Sequence, residues 1–198
     1  MDKVHILVEG YAYSGAEGKY VATPTSLLIV TNSKKILVDP GAHPQKLLEA
    51  LKKLRVFPQN IDAIYLSHYH PDHFLNIRLF PKVDIYDGTT FWQNDEEHFH
   101  EKFIPGTDIE ILPTPGHSAE HTSLLVKTDE GVVCIAADVF WWEDGQQRSD
   151  AQEELLQFSD PYATDTEALL ASRKLVLQRA EWIIPGHGKK FRNPTLPL

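Results

Sequence analysis

Ser67-His68-Tyr69-His70-Pro71-Asp72-His73 places four side chains able to bind a metal within six positions. It follows the apolar run Ile61-Asp62-Ala63-Ile64-Tyr65-Leu66, which reads as a buried strand. In extended chain leaving a strand, alternate side chains share a face, so His68 and His70 can grip one cation together. Pro71 suits the first turn of a helix, which brings Asp72 and His73 round beside them. Neutral imidazole and carboxylate are ligands for zinc and for borderline metals such as iron or manganese. A solvated histidine-rich turn would need no hydrophobic strand feeding into it. The stretch predicts a metal site.

Matching signals lie on both sides. A strand over 109–112 runs into Pro113-Thr114-Pro115-Gly116-His117, one over 131–137 ends at Asp138, and Trp182-Ile183-Ile184 leads to Pro185-Gly186-His187. A lone histidine after Pro-Gly is ordinarily a turn residue. Two such turns and a strand-terminal aspartate, added to the first cluster, are hard to read that way. Upstream, the strand over 35–38 ends in Asp39-Pro40-Gly41. Asp39 is either a turn former or an acceptor that fixes the ring of a metal-bound histidine.

The remaining segments are read more coarsely. Strands are predicted over 4–8, 26–30, 83–86 and 122–126, and residues 9–15 read as a flexible connection. A helix over 44–55 carries Leu47, Leu48, Leu51 and Leu54 on one face, and a short helix runs from Asp72 to Ile77. The helix over about 165–180 opens on a capping box of Thr164 and Glu167. Residues 89–103 are aromatic without a clean period and are expected to fold over a pocket as a lid. His98 and His100 repeat the alternate spacing of His68 and His70, but nothing else supports them and they are left out of the metal set. Trp141 and Trp142 read as a contact surface, admitting a homodimer, ahead of a substrate wall or core. Lys189, Lys190 and Arg192 read as a solvated tail.

A chain of 198 residues with 42% hydrophobic content is expected to form one domain over 1–198. Its formal charge of −9 argues against a broad electrostatic grip on nucleic acid or anionic membrane. The single cysteine, Cys134, excludes intrachain disulfides and lies in an apolar run, so a buried inert thiol is expected. The first residues lack a basic region followed by an apolar one, and no apolar run is long enough to span a bilayer. The expectation is a soluble cytoplasmic protein with no membrane partner.

His68, His70, Asp72 and His73, followed by His117, Asp138 and His187 and preceded by Asp39, resemble the motif set of the metallo-β-lactamase superfamily. The resemblance runs from about residue 5 to residue 192. It implies an α/β fold, the four-layer αββα sandwich, with the site where the two sheets meet. It also implies two divalent metal ions, usually zinc. His68, His70 and His117 would hold the first, Asp72, His73 and His187 the second, and Asp138 would bridge them. Within the superfamily the likeness is nearest to metallo-β-lactamase domain-containing protein 1 and its small microbial relatives. It is carried by Glu9-Gly10-Tyr11, Asp138-Val139-Phe140 and Pro185-Gly186-His187-Gly188. That relative is regarded as a ribonuclease.

The chemistry implied is hydrolysis by a metal-bridging hydroxide, with Asp72 the catalytic residue that orients it and receives its proton. The bond is of ester type, either a phosphodiester of single-stranded nucleic acid or a thioester or other small ester. The alternative is an oxidoreductase resembling the mononuclear iron persulfide dioxygenases, which use the same ligand positions. Secreted β-lactamases often carry a cysteine where Asp138 stands, and glyoxalase II relatives need a helical C-terminal domain, whereas this chain ends 11 residues after His187.

Overall fold

The computed structural model describes residues 1–196. In chain order its elements begin with β1 (Lys3–Val8), β2 (Tyr11–Ser14), β3 (Tyr20–Thr23), β4 (Ser26–Val30), β5 (Lys35–Val38), α1 (Pro44–Lys53), β6 (Ala63–Tyr65) and α2 (Pro71–Phe74). They continue with β7 (Asp84–Tyr86), β8 (Thr90–Gln93), β9 (Glu96–Phe99), β10 (Glu110–Pro113), β11 (Thr122–Thr128) and β12 (Gly131–Trp141). The last are α3 (Gln152–Gln157), α4 (Thr166–Arg179), β13 (Trp182–His187) and β14 (Phe191–Arg192). A seven-stranded sheet has the order β1-β4-β5-β6-β7-β8-β9, and a five-stranded sheet the order β10-β11-β12-β13-β14.

The layers follow from the period of two along each strand. In β4, β5 and β6 the residues Leu27, Ile29, Ile36, Val38, Ala63 and Tyr65 face Ile111, Leu124, Val126, Val133, Ile135 and Ile184 of the other sheet. The intervening Leu28, Leu37 and Ile64 pack outward against Leu47 and Leu51 of α1. On the second sheet the alternate residues Leu125, Cys134, Ala136 and Ile183 pack against Leu169, Val176 and Leu177 of α4. At these central strands both faces are covered, which is why they are apolar at nearly every position. The result is the expected helix–sheet–sheet–helix sandwich.

Several expectations need correction. Residues 9–15 are not a loose connection: β2 pairs antiparallel with β3 as a separate ribbon. A Cβ at Gly10 would stand 2.1 Å from the Gly186 carbonyl oxygen, so this approach of two backbones requires glycine. Residues 89–103 are no lid. β8 and β9 form a hairpin on the edge of the first sheet, and its half-exposed faces lack the burial that enforces a clean alternation. The short helix after Asp72 ends at Phe74 and continues from Leu75 as a 3-10 turn. The last helix is capped by Asp165, whose carboxylate accepts from the amides of Glu167 and Ala168. The Thr164 hydroxyl donates instead to the Gly116 carbonyl. Residues 189–192 are not a free tail: Lys190 pairs with Glu130, and Phe191–Arg192 adds the edge strand β14.

Candidate metal centre

Each candidate residue stands at or near the carboxyl end of a strand. Asp39 follows β5 and the 68–73 stretch follows β6, which run parallel. In the second sheet His117 follows β10, while Asp138 and His187 lie on the parallel strands β12 and β13. Carboxyl ends of parallel strands are where α/β sheets place their ligands. Two of these exits use left-handed backbone at residues other than glycine, with φ of 44° at both Asp39 and Ala137. The pairing of β12 with β13 shifts register around Ala137, and this bulge turns the Asp138 carboxylate into the cleft between the sheets. A Cβ at Gly186 would fall 1.7 Å from Asp138 Oδ1, so glycine before His187 leaves the room this carboxylate needs.

All seven residues named from the sequence come together in two groups of donor atoms. His68, His70, His117 and Asp138 form one and Asp72, His73 and His187 the other, with the atoms of each within 4.8 Å of one another. Asp138 sits between the groups. Its Oδ2 is 3.3 Å from His117 Nε2 and 3.7 Å from His68 Nε2, while its Oδ1 is 3.4 Å from His73 Nε2 and 3.9 Å from His187 Nε2. The other side of the second group is Asp72 Oδ2, 3.4 Å from His187 Nε2. His68, His73, His117, Asp138 and His187 are buried, while Asp72 keeps 26% of its side chain exposed toward solvent.

Four of the rings are held by their other nitrogen. His73 Nδ1 is 2.9 Å from Asp39 Oδ2 and His117 Nδ1 is 2.7 Å from Asp160 Oδ2. His187 Nδ1 is 3.1 Å from the Tyr11 carbonyl oxygen, and His68 Nδ1 is 3.0 Å from Ser67 Oγ. The Ser67 hydroxyl donates onward to Asp39 Oδ2 at 2.7 Å, so one carboxylate steers two rings. With Nδ1 engaged in each case, every Nε2 is turned inward, toward the cleft. Asp39 therefore takes the orienting role, beyond that of a turn former.

The charge balance is tight. Burial lowers His73, but Asp138 on one side and Asp39 on the other outweigh it and hold the ring well above the usual imidazole range. Burial likewise lowers His117, and hydrogen bonds to Asp138 and Asp160 overcome it and raise the ring to about 9. Burial raises Asp138, yet the facing His73 and His187 keep it well below the usual carboxylate range. His68 is driven well down by its own burial and by the charge on His73. Buried His68 Nε2, His73 Nε2 and Asp138 Oδ1 have no hydrogen-bond partner, and His117 Nε2 meets His70 Nδ1 at 2.9 Å. Unpaired buried donors and acceptors are costly in a protein interior. Converging on one cleft, they have the character of a cation site, and the residues fit divalent metals.

Two buried residues of the site escaped the sequence reading. Asp160 lies on the segment between α3 and α4 and carries no motif that flags it. His121 Nε2 accepts from the Asp138 amide at 3.2 Å, and its Nδ1 is 2.9 Å from Thr114 Oγ1. Burial pushes that ring down to about 3, so it stays neutral and serves as an acceptor. Its place in the His117-Ser118-Ala119-Glu120-His121 stretch, four residues after a candidate ligand, was the available signal. His98 and His100 lie elsewhere. His98 stacks on Phe91, and His100 Nε2 is 3.1 Å from the carbonyls of Asp87 and Thr90.

Beside the two groups opens a cavity of about 490 Å³ whose walls include Ala12, Tyr20, Ala22, Leu75, Trp141 and Tyr162. Trp141 and Trp142 are 6% and 2% exposed, so neither forms a contact surface. Trp141 walls the cavity, 6.1 Å from the His187 ring. Trp142 stacks against Phe140 in the core.

Comparison with known proteins agrees with this geometry. The family model described as the metallo-β-lactamase superfamily matches residues 21–187. Metallo-β-lactamase domain-containing protein 1 of Xenopus laevis is 31% identical over 200 residues, covering 96% of this chain and 81% of that protein. Its human counterpart is 31% identical over 167 residues, which cover 79% of this chain but only 59% of the human protein. The crystal structure of a metallo-β-lactamase candidate from Thermotoga maritima superposes with a TM-score of 0.68 at 18% identity, over 96% of this chain and 99% of that one. No helix among the described residues is long and apolar enough to cross a membrane. The chain belongs to the metallo-β-lactamase superfamily.

Proposed function

We propose that this protein is a metal-dependent hydrolase of ester-type bonds, with His68, His70, His117 and Asp138 holding one divalent cation and Asp72, His73, His187 and Asp138 a second. Zinc is the expected metal, because the donor set is imidazole and carboxylate. The observation that carries the reading is the convergence of buried, unpartnered His68 Nε2, His73 Nε2 and Asp138 Oδ1 on one cleft. Bound there, the cations supply Lewis-acid polarisation of the scissile group and acidify a water near neutral pH.

The chain's own residues do the rest. Asp39, Asp160, Ser67 and the Tyr11 carbonyl fix the orientation of four imidazoles, so the donor atoms are set before substrate arrives. Asp72 is the proton acceptor. Burial raises its carboxyl, but the facing His187 and His73 rings hold it low, so it is ionised at neutral pH. Its partial exposure lets it face substrate, and Trp141 and Leu75 form the apolar wall beside it.

Metal content by mass spectrometry, on protein purified without added metal, tests this together with turnover of a model ester and a model phosphodiester. About two zinc ions per chain, with turnover lost in His70→Ala, is the expected result. One iron per chain and no hydrolysis would overturn it and move the assignment to dioxygen chemistry.

A further inference from the structure

The cavity beside the metal centre has a chemistry of its own. Its wall is built from Ala12, Ala22, Leu75, Trp141, Tyr20 and Tyr162, and no Lys or Arg lines it. Trp141 stands 5.6 Å from the Tyr162 ring, and Tyr162 in turn 6.4 Å from the His70 ring, so the apolar surface begins where the polar donors end. Leu75, Tyr20 and Tyr162 are 43%, 44% and 53% exposed, apolar area that a ligand would cover. Asp72 is among the lining residues and Glu143 lies against the Tyr20 hydroxyl, and both are acidic.

From this wall we infer that the substrate is an uncharged carboxylic ester or thioester with an apolar acyl chain, rather than a phosphodiester. The inference rests on the hydrolytic reading of the site. Aromatic rings also stack nucleobases, but a nucleic-acid strand needs cations to follow its phosphates. Beyond the metal centre itself, an anionic backbone would meet carboxylates at the rim and alkyl and aryl groups inside. A neutral acyl chain meets no such opposition, and about 490 Å³ is room for a small molecule of that kind. In the reaction a water oxygen bonds to the carbonyl carbon and the acyl C–O or C–S bond breaks. The leaving alcohol or thiol takes a proton, and the acid is released as carboxylate with one further proton, Asp72 being the first acceptor.

The experiment uses the zinc-loaded protein and a series of para-nitrophenyl esters from acetyl to octanoyl, with bis(para-nitrophenyl) phosphate and a short RNA beside them. kcat/KM should rise roughly threefold to fourfold per added methylene until the cavity is full. Tyr162→Ala and Leu75→Asp should flatten that slope, with KM carrying the change. Calorimetry with N-methyl octanamide, N-methyl acetamide and the RNA supplies a readout independent of turnover, and the octanamide should bind best. Faster cleavage of the phosphodiester or RNA than of any acyl ester would overturn the inference and leave the hydrolase reading standing. A flat chain-length series would also overturn it. If nothing is cleaved, the hydrolase reading falls, and failure of the octanamide to bind then removes this inference as well.

Discussion

Asp160→Asn tests whether the metal groups are set from outside their own donors. The Asp160 side chain is fully buried, accepting from His117 Nδ1 at 2.7 Å on one oxygen and from the Tyr162 amide at 2.9 Å on the other. Asparagine keeps the shape, removes the charge and leaves one oxygen for two donors. A hydrogen bond to a charged acceptor contributes about 1.5–3 kcal/mol and a neutral one about 0.5–1.5. The difference, roughly 1–2 kcal/mol, is about a fivefold to thirtyfold loss of zinc affinity at the group containing His117. Competition against a chromophoric chelator measures it, and urea unfolding of metal-free protein measures the structural cost separately. Asp165→Asn is the control. It removes a carboxylate from the exposed N-cap of α4, where asparagine caps equally well, so affinity should stay within about twofold. Asp160→Asn within about twofold of the parent would refute the claim that this carboxylate sets the His117 ring.

The remaining expectations concern stability, reactivity and pH. Leu51 is 1% exposed between α1 and the first sheet, so Leu51→Ala should cost about 2–5 kcal/mol, read as a lowered urea midpoint; a cost near zero would mean the outer layer is not packed as described. Burial pushes the Cys134 thiol up to about 12, so iodoacetamide at neutral pH should label it only in denaturant, and rapid native labelling would contradict its place in the core. Burial raises the Asp87 carboxyl, but hydrogen bonds from the Tyr69 hydroxyl and the Thr89 and Thr90 amides outweigh it and hold it below its ordinary value. Its contribution is therefore complete above the unfolded carboxylate pKa and is lost as pH falls through the lower folded one, between about pH 5 and pH 2. Asp87→Asn should flatten that acid limb of the urea midpoint, and parallel losses in parent and variant would exclude the role.

The layered fold was legible because burial on two faces leaves a plain mark: β4, β5, β6, β12 and β13 are built mostly of apolar residues. The first group of donors was legible for a different reason, since His68, His70, Asp72 and His73 are close in sequence and in space. What stayed hidden was set by distant partners. Asp160 is an ordinary aspartate until His117, 43 positions earlier, is brought against it. The β2–β3 ribbon has no core of its own. It forms because Gly10 and Thr25 bond to Gly188 and Gly186, contacts that no local pattern announces. The tryptophans were misjudged because composition speaks of indole in general, whereas the bulge at Ala137 fixes which indole meets the cavity and which the core.

That bulge also bears on how the protein can change. An alanine at φ 44° carries a steric cost that glycine would relieve, about 1 kcal/mol. Substituting glycine at 137 is thus an easy route to a firmer fold, but it loosens the backbone that aims Asp138. Here durability and aim draw on the same residue. The strain held at Ala137 is what keeps the carboxylate pointed into the cleft, and relieving it would give up direction for stability.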